Sequence, residues 1–179
     1  AIPEGVVYIC QFASFGRPEL RKVILPKSLK TVGVGAFQKC SNLESVVLLS
    51  PNNLQFILSN AFSNCEKLYE FPFDKLSHIE KIGPYAFCMA AILRKNFKRD
   101  GAQRIETGAF SNMKNLEYVN LGCNPKFVDS YCFSHCCNLM EISILSEETA
   151  FEENVFYLCD KIERMTIYSS PSAINEKAF

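Results

Sequence analysis

The sequence has no Trp and only two His, at positions 78 and 135. It also lacks an excess of either charge: 19 Lys and Arg stand against 19 Asp and Glu. Nucleic-acid domains carry a basic excess, so no nucleic acid is expected as a partner. No apolar run approaches the roughly 18–20 residues of a spanning helix, so no membrane span is expected in this segment. There is no G-x-S-x-G elbow, Gly-rich phosphate loop or H-E-x-x-H pair. Accordingly no catalytic residue, no cofactor and no enzymatic activity are expected. No Asn is followed two residues later by Ser or Thr. The start, Ala1-Ile2-Pro3-Glu4, carries neither Met nor an apolar leader, so the chain reads as a fragment of a longer array and its compartment stays open.

What is present in quantity is apolar. Hydrophobic residues make up 48% of the 179, with 15 Phe and nine Cys. That is enough for a core, and an odd Cys count leaves at least one thiol unpaired in a monomer. The Phe residues are periodic. Eight fall at 12, 37, 62, 87, 110, 133, 156 and 179, at intervals of 25, 25, 25, 23, 23, 23 and 23. Five residues before each stands an apolar residue: Val7, Val32, Ile57, Ile82, Ile105, Val128, Phe151, Ile174. A small residue usually precedes the Phe, as Ala36, Ala61, Ala86 and Ala109 do. Cys40, Cys65, Cys136 and Cys159 stand three residues after it, and Leu43, Leu68, Leu116 and Leu139 six after.

Beyond each Leu the apolar positions alternate, as in Val23/Leu25, Val46/Leu48, Val119/Leu121 and Ile142/Ile144. Alternation marks a strand with one face buried. The Phe–Cys–Leu step of three suits a short 3₁₀ turn. A unit this small cannot bury its apolar face alone, so neighbouring units must stack.

The units Leu29–Leu48 and Ile105–Leu121, with their G-x-x-A-F-x-x-C-x-x-L-x-x-I-x-L spacing, resemble BspA-like (treponemal-type) leucine-rich repeats. The resemblance runs from about Val7 to Phe179. It implies a leucine-rich-repeat solenoid: a curved right-handed superhelix with a concave parallel β-sheet and a convex side of short extended segments and 3₁₀ turns. A single domain over residues 1–179, of about seven repeats of 23–25 residues, is expected. The resemblance further implies a recognition or adhesion protein at the cell surface or secreted.

The cysteines of the shared column read as small core residues. Side chains stacked in parallel rarely meet the disulfide dihedral. Cys10, Cys88, Cys123 and Cys137 lie off the core columns and are the better candidates for reactive thiols. Cys132, His135, Cys136 and Cys137 hold the ligand types for zinc, but their columns alternate between inside and outside, so no metal site is expected.

The outward strand columns carry the candidate site. They read Arg21, Glu44, Tyr69, Arg94, Glu117, then Lys22, Ser45, Glu70, Lys95, Tyr118, and then Ile24, Val47, Pro72, Phe97, Asn120. Opposite charges are expected to meet at Arg94/Glu117, Glu70/Lys95 and Glu141/Arg164. Tyr69, Phe97 and Tyr118 stand among these charges, a composition that binding hot spots share. The fourth unit places Asn96 and Lys98 where other units are apolar, and an unpaired core Lys is costly, so this strand is expected to slip or bulge. Tyr69, Arg94, Lys95, Phe97 and Tyr118 are therefore the expected contacts for a protein or other macromolecular ligand. The alternative is an intracellular scaffold or subunit, which the many cysteines without a sequon favour. Self-association through uncapped ends is a further expectation.

Overall fold

The computed structural model describes residues 1–92, 94–96, 103–121, 125–144, 149–167 and 174–179, with the side chains of 94–96 and 167 left aside. Each turn of chain contributes a short strand and, in every turn but the third, a longer one. The short strands are β1 (Tyr8–Ile9), β3 (Thr31–Val32), β5 (Phe56–Ile57), β6 (Lys81–Ile82), β8 (Arg104–Ile105), β10 (Phe127–Val128) and β12 (Ala150–Phe151). They form one seven-stranded sheet in that order, with every pairing parallel. The longer strands are β2 (Lys22–Leu25), β4 (Ser45–Leu48), β7 (Arg94–Asn96), β9 (Tyr118–Asn120), β11 (Glu141–Ile144) and β13 (Arg164–Ile167). These divide into a β2–β4 pair and a β7–β9–β11–β13 sheet, with Glu70 bridging to Ser45 beyond β4. The architecture is a parallel-strand leucine-rich-repeat solenoid with very little helix.

The core is the stack of Phe rings. Phe37, Phe62, Phe87, Phe110, Phe133, Phe156 and Phe179 stack with centroids 5.2–5.7 Å apart and planes within 17° of parallel. Each buried ring contributes about 1.5–3 kcal/mol by burial, and each ring pair about 0.5–1.5 kcal/mol more. The amide of each Phe from 37 to 156 donates to the carbonyl of the residue before the next Phe, for example Phe62 N to Ala86 O at 2.8 Å.

The first turn departs from the sequence expectation. Ile9, not Val7, pairs with Val32, and Ser14 N donates to Ala36 O at 2.7 Å. Ser14 therefore holds the Phe position, while Phe12 is 51% and Val7 48% exposed. The first interval is accordingly 23 residues and not 25. The reason is register: Ile2-Pro3, Ile9 and Leu20 match Leu25-Pro26, Val32 and Leu43 at a spacing of 23. Those three apolar anchors outweigh one Phe. With no ring at Ser14, a cavity of about 380 Å³ opens against Phe37, lined also by Ile2, Val6, Ile9 and Leu20.

The step of three around the Phe is made by single hydrogen-bonded turns. Ala36 N bonds Gly33 O, Gln38 N bonds Gly35 O and Cys40 N bonds Phe37 O, while Gly35, Phe37 and Lys39 donate instead to the next turn of the solenoid. Alternate amides thus point along the axis, which takes a left-handed residue two before and two after each Phe position. Phe12, Gly35, Asn60, Tyr85, Gly108, Tyr131 and Asn154 fill the first position at φ 54–60°. Gly16, Lys39, Asn64, Met89, Asn112, His135 and Leu158 fill the second at φ 56–64°. These reversals interrupt any continuous 3₁₀ helix; among the described residues only Phe73–Lys75 forms one. Gly and Asn adopt this region readily, whereas a bulky side chain there costs about 1–2 kcal/mol.

The third and fourth turns depart from the others. Phe71 and Phe73 occupy the strand positions held by Val23 and Leu25 in the first turn, and both are buried. Phe73 lies 5.1 Å from Phe87 and 6.0 Å from Phe110, reaching two turns along the stack. Phe71 packs on Phe62 and Phe87 at 5.3 and 4.8 Å. The enlarged rings adjoin the turn whose sequence offers Asn96 and Lys98 in place of apolar residues. The expected slip is present, since β7 pairs Arg94 with Tyr118, Lys95 with Val119 and Asn96 with Asn120. That is one residue away from the alignment that the Leu positions set.

Candidate binding faces

The longer strands place the expected site residues in two groups. Tyr69 is 56% exposed, beside the Ser45–Glu70 bridge. Tyr118 lies half-buried on β9, flanked by Arg94 on β7 and Glu141 on β11. Arg164 on β13 completes the row and bonds Glu141 at 2.9 Å. The pairing of Glu141 with Arg164 is as expected. The slip of β7 sets Arg94 opposite Tyr118 and not Glu117, and Lys95 opposite Val119; the expected Glu70/Lys95 pair involves a side chain outside those described, and Glu70 adjoins Ser45 on its other side. Phe97 lies outside the described residues, as do Lys98 and Arg99. At the other end Arg21 bonds Glu44 at 2.8 Å, so the strand face carries an ion pair in each of its two sheets.

The seven-stranded sheet carries a second charged group that the sequence reading missed. Lys81 bonds Glu106 at 2.8 Å, and Arg104 bonds Asp129 at 3.1 Å with Glu106 at 3.8 Å. The Arg104 guanidinium also lies 5.5 Å from the centre of the Phe127 ring. The signal was available, since these residues stack at the same interval of 23 that aligns the Phe column.

The thiol column does more than fill space. Cys40, Cys65, Cys136 and Cys159 each donate to the carbonyl of the Phe position one turn earlier, at 3.0–3.3 Å. Burial pushes the Cys65 and Cys88 thiols up from their ordinary value. Contact with the Cys136 side chain lowers Cys159 despite its burial. Cys10 and Cys137 are exposed, and Cys123 lies outside the described residues. At about pH 8, iodoacetamide is expected to modify Cys10 and Cys137 first, Cys88 more slowly and Cys65 only on unfolding; timed peptide mass mapping reads the order. Above the ordinary value of 9.0 the unfolded chain ionises Cys65 while the folded chain keeps it neutral. Its contribution to stability is therefore complete below pH 9.0 and declines as pH rises further. A urea midpoint that falls less in Cys65→Ala than in the native chain above that pH tests the sign.

Cys132 and Cys136 are buried while His135 and Cys137 are exposed, so the four do not converge. Among the described residues no group of three or more His, Cys, Asp or Glu side chains gathers as a metal site, and no helix is long and apolar enough to cross a membrane.

Two overlapping segments, residues 1–100 and 80–179, match the family described as BspA type leucine rich repeat region (6 copies). The chain belongs to the BspA-type leucine-rich-repeat family. A T. pallidum leucine-rich repeat protein superposes with a TM-score of 0.71 at 26% identity, over 88% of this chain and 72% of that one. A leucine-rich repeat protein of Bacteroides ovatus superposes with a TM-score of 0.70 at 24% identity, over 89% of this chain. The chain spans about two fifths, 40%, of the length of the B. ovatus protein. No curated protein matches the sequence. Leucine-rich repeats are in general protein-interaction modules and typically non-catalytic.

Proposed function

We propose that this chain is a non-catalytic recognition module of a surface or secreted protein, and that it grips a protein partner with its longer-strand face. The contacts are Tyr69, Arg94, Lys95, Phe97 and Tyr118. The observation that carries the reading is the exposed Tyr69 beside a row in which Arg94, Tyr118, Glu141 and Arg164 lie on adjacent strands. Exposed Tyr and Arg with polar neighbours supply most of the energy in protein interfaces. The interruption of the longer-strand sheet falls between Tyr69 and Arg94, which gives this part of the face a shape no other part repeats.

The test is a biosensor panel of immobilised soluble and matrix proteins. At least one is expected to bind. Tyr69→Ala and the double charge reversal Arg94→Glu/Lys95→Glu are each expected to weaken that binding by about tenfold or more, a loss of about 1.4 kcal/mol at least. Binding that survives both changes unaltered removes the site assignment. Intact-mass counting of alkylated thiols on natively sourced protein separates this reading from an intracellular scaffold, because nine free thiols favour a reducing compartment.

A further inference from the structure

The edge formed by the left-handed turns differs from the rest of the surface. The seven hexapeptides 11–16, 34–39, 59–64, 84–89, 107–112, 130–135 and 153–158 line it, and they hold only two charged residues, Lys39 and Glu153. The whole chain is 21% charged. What the edge offers instead is Tyr, Ser, Thr, Asn and Gly. Its aromatic rings are exposed and placed at a cost, since Tyr85 and Tyr131 stand at positive φ, where four other turns use Gly or Asn. Tyr85 also needs Gly108 in the next turn, because its ring fills the space a β-carbon there would take. Both rings stay about two-fifths exposed at these strained positions, which points to a use for them.

The C-terminal half of the edge is the most developed. Tyr131 and Tyr157 meet edge to face at 6.4 Å, and His135 meets Tyr157 the same way at 5.6 Å. The Asn154 amide donates to the Tyr131 hydroxyl at 3.3 Å. Tyr85 stands two turns away, about 10 Å at the usual strand spacing. Here partly exposed rings alternate with neutral hydrogen-bonding groups along the edge.

We propose that this edge, centred on Tyr131, His135 and Tyr157 with Tyr85 as the next platform, binds an uncharged glycan chain. A pyranose presents a C–H face that packs on an aromatic ring, and its hydroxyls exchange hydrogen bonds with Asn154, His135 and the Tyr hydroxyls. Two linked sugar rings span the interval from Tyr131 to Tyr85. The scarcity of charge, with Glu153 alone in the C-terminal half of the edge, selects the ligand class. A protein surface brings ionised side chains that would lose water here without gaining partners, whereas a neutral glycan brings none. The site is separate from the longer-strand face and stands or falls independently of it.

Native gels containing dextran, mannan, galactan or xylan test the assignment, with heparin as the charged control. The folded chain is expected to be retarded in at least one neutral gel, and about 0.5 M salt is expected to leave the retardation unchanged, since no charge contact is there to be screened. Tyr131→Gly and Tyr157→Ala are each expected to weaken binding at least tenfold, and Tyr69→Ala to leave it intact. Tyr131→Gly relieves the positive φ, so its thermal midpoint is expected to equal or exceed that of the native chain. Its loss of binding cannot then be put down to misfolding. Retardation confined to heparin, retardation in none of the neutral gels, or full binding by Tyr131→Gly overturns the proposal. So does a protein ligand whose binding Tyr131→Gly abolishes.

Discussion

Phe87→Ala is expected to destabilise the chain by about 3–5 kcal/mol, the range for emptying a buried aromatic site. Phe87 is fully buried and stacks on Phe62 and Phe110 at 5.3 and 5.5 Å. It also receives Phe71 and Phe73, so the vacated space is walled by rings, and the backbone bonds between turns limit its collapse. Such a loss is a large part of the roughly 5–15 kcal/mol that holds a typical domain together, and urea unfolding measures it. Phe12→Ala is the control. By sequence position it belongs to the same column, but Phe12 stands outside the core, and the change is expected to cost less than about 1 kcal/mol. Equal losses at the two positions would contradict the register of the first turn.

The second large effect is expected at Phe73. Phe73→Ala should cost about as much as a loss from the ring stack itself, near 3–5 kcal/mol, although Phe73 belongs to a strand column that is Leu in the first, second and fifth turns. Its ring spans from Phe87 to Phe110 and packs the space next to the turn that brings Asn96 and Lys98. Phe73→Leu restores the residue of the neighbouring turns but is still expected to lose about 1–2 kcal/mol, because Leu cannot reach Phe110. A neutral Phe73→Leu in urea unfolding would mean that the fourth turn packs itself.

Most of the fold could be read from the sequence because the solenoid repeats each decision. Val32, Phe37, Cys40 and Leu43 keep the same spacing within a unit that recurs every 23 or 25 residues, and burial of one set implies burial of the next. The first turn misled because Phe12 follows Val7 at the motif's spacing of five, two residues ahead of the true register. Only the pairing of Ile9 with Val32 decides between the two. The break at the fourth turn was foreseeable from a Lys in a core column, and β7 is displaced by one residue from the alignment that the Leu positions set.

The left-handed positions were invisible for a different reason. Half of them are Gly or Asn, but the other half are Phe12, Lys39, Tyr85, Met89, Tyr131, His135 and Leu158, residues that propensity places elsewhere. The thiols likewise looked like small apolar filler, and only the geometry reveals that each caps a carbonyl. The strand columns indicated all five proposed strand-face contacts, Tyr69, Arg94, Lys95, Phe97 and Tyr118. The partner of Arg94 depended on a register that no local pattern specifies.

The unequal continuity of the two sheets has a mechanical consequence. The seven short strands run unbroken from end to end, whereas the longer strands form two separate sheets. A rod whose one side is spliced and whose other side is not bends more easily toward or away from the splice than across it. Bending in that direction is therefore expected to be the softer of the two. A partner seated across that gap would clamp both halves, so its binding would register as a stiffening of the whole rod.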